Sequence, residues 1–543
     1  MTPLPSQTAQ VCISLTEPST VVNTPRHSLS WSHQLSKAAQ DPASTPLNNF
    51  DLEKEAATND YWYTPDETVI IDYSGPDDPL HPHNINFWIK VAVVIAVAFN
   101  ALIVSAFGSA YLFITPDLEL VFHSSQPLVI TGFVVYVVGW GPGPLIWAPL
   151  SDSIGRKPVY IGSVLLWTAF NVGCARAQNI STMIICRFFA GFFGCACMTN
   201  GGGTNTDIWT GLSIARAIGL YSAVVFLGPI IGPVIGGAIE IYSPSATASD
   251  NGGWRWLFYA AVASGAVSTV FYVFLPETHA NVRLRPRVQA MRKKDPDNAA
   301  AYTTEADKAG LKLPAKMAKV AGSAVKMLQS EPIIIFVSLW QTTAMAIIYL
   351  FFDAFPVVFG IGHGMNAFQT GLTFIGCGVG MLAACFWSLT FDLKRWILRV
   401  QKAKGVVSPE MRLPQGLMGA FLTVIGLFWF GYTTFDSIHW ILPVLGSAVY
   451  AFGALSVMLC TFAYVVDTYM LQSAPAFAAI GFIRSVVTAV LPLCGGYFYK
   501  NLNPRNATLV LACIALAEVA IPLCAIKWGR ALRHRSHFAM KTD

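Results

Sequence analysis

Arg187, Arg484, Asp353 and Glu518 stand within long apolar runs of this 543-residue sequence. A charged group in hydrocarbon is costly unless it faces a partner or water, so residues of this kind point to proton relays, ion paths or buried pairs. Arg187, followed by Gly191 and Gly194, is expected to point inward. It lies only a few residues from the start of its run, so snorkelling to an interface is the alternative. Asp353, three residues before Pro356, reads either as a titrating carboxylate at a cavity mouth or as a solvated cap. Glu518 lies midway along LACIALAEVAIPL, as a protonatable site or as a neutral acid bonded to a neighbouring helix. Asp467 is expected to be a structural charge at an interface, paired with Arg484. Asn100, Tyr136, Gln341 and Tyr349 add uncharged polar groups at membrane depth that could line a cavity.

Two further stretches carry patterns that a plain apolar helix does not need. In Gly228–Pro229–Ile–Ile–Gly232–Pro233–Val–Ile–Gly236–Gly237 the two prolines are four apart, removing two backbone donors from one helix face beside a flat seam of glycines. Such a helix is kinked and closely packed. In GWGPGPLIWAPLSDSIGRKPVY, residues 139–160, a short polar connector with Asp152, Gly155, Arg156 and Lys157 separates two apolar runs. So short a link makes the two helices antiparallel neighbours, and Asp152 is placed to pair with Arg156 or with a helix end. A positive cytoplasmic loop is the plainer reading of those charges.

These residues must be positioned by membrane helices. The chain is 54% hydrophobic and only 12% charged, with a net charge of +5, a composition foreign to soluble proteins of this length. Runs long enough to cross the hydrocarbon core fall near 88–111, 128–150, 159–176, 182–203, 217–241 and 254–275. Six more follow near 332–357, 367–390, 413–435, 438–462, 472–497 and 507–528. Between the two sets lies a basic linker, 276–331, and before them a polar tail, 1–87, without the period that would build a core. A basic tail, 529–543, closes the chain. The reading is an all-α membrane protein of 12 transmembrane helices: a six-helix bundle over 88–275 and another over 332–528, around a central cavity. Arg and Lys crowd the linker, the link after the eighth span (Lys394, Arg395, Arg399, Lys402, Lys404) and the C-terminal tail, which puts both termini in the cytoplasm. Ten of eleven cysteines fall in apolar runs, where they act as small hydrophobes and exclude a disulfide scaffold.

The 139–160 stretch resembles the signature between the second and third spans of the major facilitator superfamily, G-x-L-(a/s)-D-R-x-G-R-(K/R), through Gly143, Leu150, Asp152, Gly155, Arg156 and Lys157. Ser153 departs from it. The GRKP end, Asn200–Gly201–Gly202–Gly203–Thr204 with Asp207, and Tyr349–Leu–Phe–Phe–Asp353–Ala–Phe–Pro356 are similar to the twelve-span fungal drug:proton antiporter branch. Residues 228–237 resemble the antiporter signature of the superfamily's exporters. The resemblance implies the major facilitator fold and a conformational latch at Asp152, Gly155, Arg156 and Lys157. It implies an interface-sealing helix carrying Gly228, Pro229, Gly232, Pro233, Gly236 and Gly237, and proton coupling at Arg187. Asn200 joins Asn100, Gln341, Tyr349, Asp353, Arg484 and Glu518 as cavity or coupling candidates.

The leading expectation is a proton-coupled exporter of small amphipathic molecules (drugs, toxins or a secondary metabolite) working by alternating access. It would be a monomer in the plasma membrane, taking no cofactor or metal beyond the proton gradient. A transporter of a small organic acid or other carboxylate is the alternative, since Arg187 and Arg484 would suit an anion. Pro276–Glu277–Thr278 resembles the antiporter branch rather than sugar porters. A membrane enzyme is disfavoured because the ten histidines lie in tails and loops, without metal-ligand spacing on a helix. The basic linker is not expected to bind nucleic acid.

Overall fold

The computed structural model describes residues 61–63, 69–75, 77–243, 253–296, 302–304, 307, 313–402 and 408–539. Most of the tail expected over 1–87, and Lys308, Lys312 and Lys404 of the basic loops, lie outside the described residues. The chain divides into two compact units.

The larger unit, Val91–Gly203 with Ala215–Leu275 and Leu313–Asp543, is helical. The spans of its first half are α1 (Phe87–Phe122), α2 (Gln126–Ile154), α3 (Arg156–Ala175), α4 (Ile180–Ile208), α5 (Ser213–Tyr242) and α6 (Arg255–Phe274). The helices α7 (Ala280–Lys294) and α8 (Leu313–Ser330) belong to the linker. The second half has α9 (Pro332–Gly362), α10 (Ala367–Lys402), α11 (Pro409–Tyr432), α12 (Ile441–Tyr469) and α13 (Ser473–Arg535). Among the described residues, eleven helices are thus long and apolar enough to cross a membrane. A straight helix of the 63 residues in α13 would be about 95 Å long, roughly three times the hydrocarbon core. Asn503, at φ 61° and ψ 150°, breaks it into two arms, which correspond to the last two apolar runs of the sequence.

Small residues decide which helices meet. A Cβ added at Gly446 would lie 2.7 Å from the Phe430 amide nitrogen, and one added at Gly426 or Gly453 would strike the Tyr450 or Thr423 backbone. Antiparallel α11 and α12 therefore lie backbone against backbone along their length. Pro142 begins a second helical segment after the turn at Gly139–Gly141 and so bends α2.

The smaller unit corrects the reading of 1–87 as a tail without structure. Strand β1 (Tyr61–Tyr63) pairs antiparallel with β2 (Val69–Ile71), and β2 pairs in parallel with β3 (Tyr302–Thr303) of the linker. Its anchor is Asp78, whose side chain is fully buried. The carboxylate accepts from the Ser74 amide at 3.0 Å, the Leu80 amide at 2.8 Å and Arg287 of α7 at 2.7 Å. Tyr73 donates to the Ala280 carbonyl at 2.6 Å. Neither strand segment has an apolar period of its own, and the partners are some two hundred residues apart in sequence, so the tail reads as unstructured until both are placed together.

Burial alone would raise the Asp78 carboxyl, but the two amides and Arg287 outweigh it and hold the group at about 2 against an ordinary 3.8. A depressed carboxylate stabilises the folded state fully above its unfolded value and loses that contribution as pH falls through the folded one. Hydrogen exchange at the Ser74 and Leu80 amides is therefore expected to stay slow down to about pH 4 and to accelerate towards about pH 2. In Asp78→Asn the exchange should be fast throughout.

Candidate functional site

Arg187 is completely buried, which removes the snorkelling alternative. It projects from α4 into its own half, where its Nη2 donates to the Gly108 carbonyl at 3.1 Å. Nη1 and Nε reach the Phe107 and Gly132 carbonyls at 3.4 and 3.5 Å. Two tyrosine rings close over the guanidinium, with centroids 4.6 Å (Tyr111) and 4.1 Å (Tyr136) away. Both rings are pinned by their hydroxyls: Tyr111 donates to the Val129 carbonyl at 3.0 Å and Tyr136 to the Val104 carbonyl at 2.7 Å. The indole of Trp167 donates to the Tyr136 oxygen at 3.1 Å. A desolvated cation between two electron-rich faces and fixed carbonyl dipoles needs no carboxylate. Tyr111 was not legible as part of this cage, because an isolated tyrosine in an apolar run usually packs.

In the second half, Arg484 of α13 donates to Gln341 Oε1 at 3.0 Å, and Gln341 Nε2 donates to Thr461 of α12 at 2.7 Å. Tyr349 lies within electrostatic reach of both Arg484 and Tyr136, so three of the expected residues, Gln341, Tyr349 and Arg484, come together near the midline. Thr461 escaped the sequence reading because hydroxyls are common in membrane helices. The expected pair of Asp467 with Arg484 is not formed. Asp467 binds Arg412 at 2.9 Å, and that guanidinium also lies 3.9 Å from the Trp396 ring centroid. The reason is topological: α11 begins where α12 ends, whereas Arg484 is three turns into α13.

The other candidates are dispersed. Asn100 is buried with its Nδ2 unpartnered and lies beside Tyr272 of α6. Asn200 is a brace, accepting from Ser151 at 3.1 Å and donating to the Trp147 carbonyl at 3.4 Å. Glu518 is half-buried beside Thr343 of α9. Asp353 is half-buried, with Oδ2 wholly enclosed against Gly495 of α13.

Around the α2–α3 link, Arg156 pairs with Asp152 at 3.0 Å and donates to Ser151, and Gly203 leaves room for its Nη2. Lys157 donates to the Val273 carbonyl at 2.8 Å, near the end of α6. Gly155, at φ 108°, takes a backbone conformation that a side chain would strain, and so sets the sharp entry to α3. Along α5, Gly228, Gly232 and Gly236 press on α1 at Ser105, Ser109 and Ala110, within their own half. Pro233 and Gly237 turn the other way, onto Gly371 and Ala367 of α10.

The halves meet at both ends. At the end away from α8, the Phe133 ring lies 5.5 Å from Tyr349 and 6.3 Å from Phe352, and Phe113 lies 6.2 Å from Phe374. At the α8 end, a Cβ at Gly219 of α5 would lie 2.7 Å from Leu389 of α10. Leu145 of α2 packs into a core formed by Met327 of α8 and Ile334, Tyr464 and Ala479 of the second half. Along α9, Gln341, bonded to Arg484, falls between Ile334 of the α8-end core and Tyr349 of the opposite contact.

Two sets of membrane-length helices, with the guanidinium groups of Arg187 and Arg484 held at membrane depth, are the plan of a multi-pass transporter of the two-half type. The model of the Major Facilitator Superfamily matches residues 93–492, and the chain belongs to that superfamily. It is a membrane transporter and not an enzyme. A multidrug transporter of the superfamily from Aspergillus fumigatus is 35% identical over 478 residues, 86% of this chain and 75% of that protein. An efflux pump from Fusarium oxysporum is 33% identical over 465 residues (86% and 77%), and a Candida albicans multidrug transporter is 32% identical over 479 residues (87% and 76%). Among solved structures, a proton:xylose symporter bound to a bromodeoxyglucose has a TM-score of 0.58 at 15% identity, covering 82% of this chain and 96% of its own. The partially occluded, inward-open Escherichia coli xylose transporter scores 0.55 at 14% identity, over 81% and 99%. At those identities the likeness is one of fold.

The Arg187 cage gives a direct test. Lysine carries one ammonium where three carbonyls and two ring faces are arranged for a planar fork. Arg187→Lys replaces the planar fork by a compact charge that cannot reach all three carbonyl directions and both ring faces at once, and should lower stability by ~1–3 kcal/mol. Thermal unfolding of the detergent-purified protein would show it, and an unchanged midpoint would rule the cage out as a stabilising element.

Proposed function

We propose that this transporter exports small amphipathic molecules in exchange for protons, by alternating access between its two halves. The observation that carries the reading is the polar group around Arg484, Gln341 and Tyr349, enclosed between two inter-half contacts made of rings, aliphatic side chains and glycines. Parting one contact while the other holds gives each side of the membrane access in turn. The relatives in Aspergillus, Fusarium and Candida, named as multidrug transporters or an efflux pump, favour export of drugs, toxins or a secondary metabolite. The transporter works as a monomer on the proton gradient, without cofactor and without nucleic acid. Its basic linker and C-terminal tail favour the cytoplasmic side, with both termini there and the chain in the plasma membrane. The contact at the α8 end is then the inner gate, and the Phe133–Tyr349 contact the outer one.

Arg187 fixes the charge balance of the first half in this reading, and the link at Asp152, Gly155, Arg156 and Lys157 governs how easily the inner ends part. An organic anion is the second reading of the same site, favoured by the Arg484 guanidinium, whose described hydrogen-bond partner is an uncharged amide oxygen.

In inside-out vesicles with an acidic lumen, rhodamine 6G should accumulate, and an uncoupler should abolish the accumulation while ATP depletion leaves it unchanged. Accumulation that needs ATP and survives the uncoupler would refute the proposal; competition by benzoate but not by other lipophilic cations would favour the anion reading. Asp152→Asn, which breaks the pair with Arg156, is expected to slow turnover several-fold while rhodamine 6G binding, read by fluorescence, persists.

A further inference from the structure

The thiols of the described cysteines are spent in two ways. Cys195, Cys197, Cys377, Cys385 and Cys460 each donate to a backbone carbonyl. Cys174 of α3 and Cys186 of α4 instead share a hydrogen bond with each other, and both are free thiols. Cys174 is completely buried, whereas Cys186 is half-buried. Beside Cys174, Gly173 lets the α3 backbone come close: a Cβ added there would lie 2.8 Å from Cys186 Sγ. Facing sulfurs on two backbones at close approach are what a disulfide requires. Packing alone would be served by any small apolar residue.

The pair also borders the Arg187 cage. Cys186 directly precedes Arg187 in α4. Cys174 stands two turns beyond Trp167 on the same face of α3, within electrostatic reach of Arg187, Tyr111 and Tyr136. It is also the last but one residue of α3, next to the exposed Arg176 and Gln178 of the short link to α4.

We propose that Cys174 and Cys186 are a redox pair, closed to a disulfide by a peroxide arriving from the α3–α4 link and reopened by a thiol reductant. In the orientation proposed above, on which this part of the inference rests, the link faces the outside, where no reducing thiol pool opposes the bond. The half-buried Cys186 meets the oxidant first. Its thiol gives up a proton, and the sulfur attacks hydrogen peroxide, so that an S–O bond forms as the O–O bond breaks. The departing oxygen takes the proton and leaves as water. The Cys174 sulfur then displaces the oxygen from the sulfenic acid, forming the S–S bond, and that oxygen leaves with the Cys174 proton as a second water. Two thiols are oxidised and one peroxide is reduced to two waters. The closed bond ties α3 to α4 beside the cage.

The test uses the full chain, purified, reduced and exposed to hydrogen peroxide, with free thiols blocked by maleimide before non-reducing peptide mapping. A peptide pair joined through Cys174 and Cys186 should appear, and dithiothreitol should remove it. Cys174→Ala is expected to leave Cys186 as a sulfenic acid that dimedone traps, and Cys186→Ala to leave Cys174 reduced. Two thiols still open to maleimide when the treated wild type is unfolded would overturn the pair, as would Cys186 joined to another cysteine; both results are read on the wild type. Because the bond restricts the unfolded chain, the thermal midpoint of the oxidised wild type should rise by a few degrees and that of Cys174→Ala should not. An unchanged wild-type midpoint, with the joined peptides present, overturns the bracing of the cage. Gln178→Cys reports the side: it should react with a membrane-impermeant maleimide in intact cells. Reaction only after permeabilisation overturns the orientation, while joined peptides in the purified protein keep the pair.

Discussion

A guanidinium at membrane depth, held by three backbone carbonyls and two tyrosine rings with no carboxylate among its described partners, sets the organisation of the first half. Carbonyls can be spared for a side chain only where helices are locally distorted or where a carbonyl accepts twice. The Arg187 cage draws on α1 at Phe107–Gly108 and on α2 at Gly132. It also needs Tyr111 and Tyr136 held edge-on by the Val129 and Val104 carbonyls. Each of these contacts constrains the next, and Trp167 extends the set to α3. The cost of an unpaired cation in hydrocarbon therefore fixes four helices relative to one another, with the glycine seam of α5 closing on α1 beside them.

The second half is satisfied differently. Its α11–α12 pair is joined by glycine contacts, and its Arg412–Asp467 and Glu410–Arg533 ion pairs sit at the α8 end. Within its depth, Arg484 has an amide oxygen for a partner and the enclosed Oδ2 of Asp353 has none. Buried polar atoms without a partner occur in both halves, Asn100 and Asn171 in the first and Thr342 and Asp353 in the second among them, but the guanidinium of the Arg187 cage is not one of them.

Helix existence was legible because hydropathy and length act locally, and the placement of Gly and Pro in α5 was legible because backbone chemistry is local too. The link at 151–157 kept its expected internal pair, since Asp152 and Arg156 are one helical turn apart. What the sequence concealed was pairing across long separations. Asp467 found Arg412 because antiparallel neighbours share an end, a fact no residue pattern states. Asp78 and Arg287 built a folded unit from a stretch that reads as tail. Asn200 resembled a cavity residue by motif, yet its amide is spent bracing Ser151 and Trp147. Polar residues in apolar runs look alike from sequence, and only the neighbours separate a brace from a site.

The distribution of strong and weak contacts bears on how such a protein can move. Asp152–Arg156, Arg412–Asp467 and Glu410–Arg533 each join residues of the same half, as do all of the contacts of the Arg187 cage. Across the halves the described contacts are mainly rings, aliphatic side chains and glycines set against backbone, with a weak thiol bond from Cys385 to the Gly219 carbonyl and Lys500 within electrostatic reach of Glu119. Separating them exposes apolar surface without breaking these ion pairs, at a cost proportional to area and indifferent to direction. An amphipathic molecule entering the gap can replace that apolar contact with its own surface. A strongly hydrated one cannot, because it would bring its water with it. In the proposed cycle an apolar seam would therefore favour amphipathic cargo over strongly hydrated cargo.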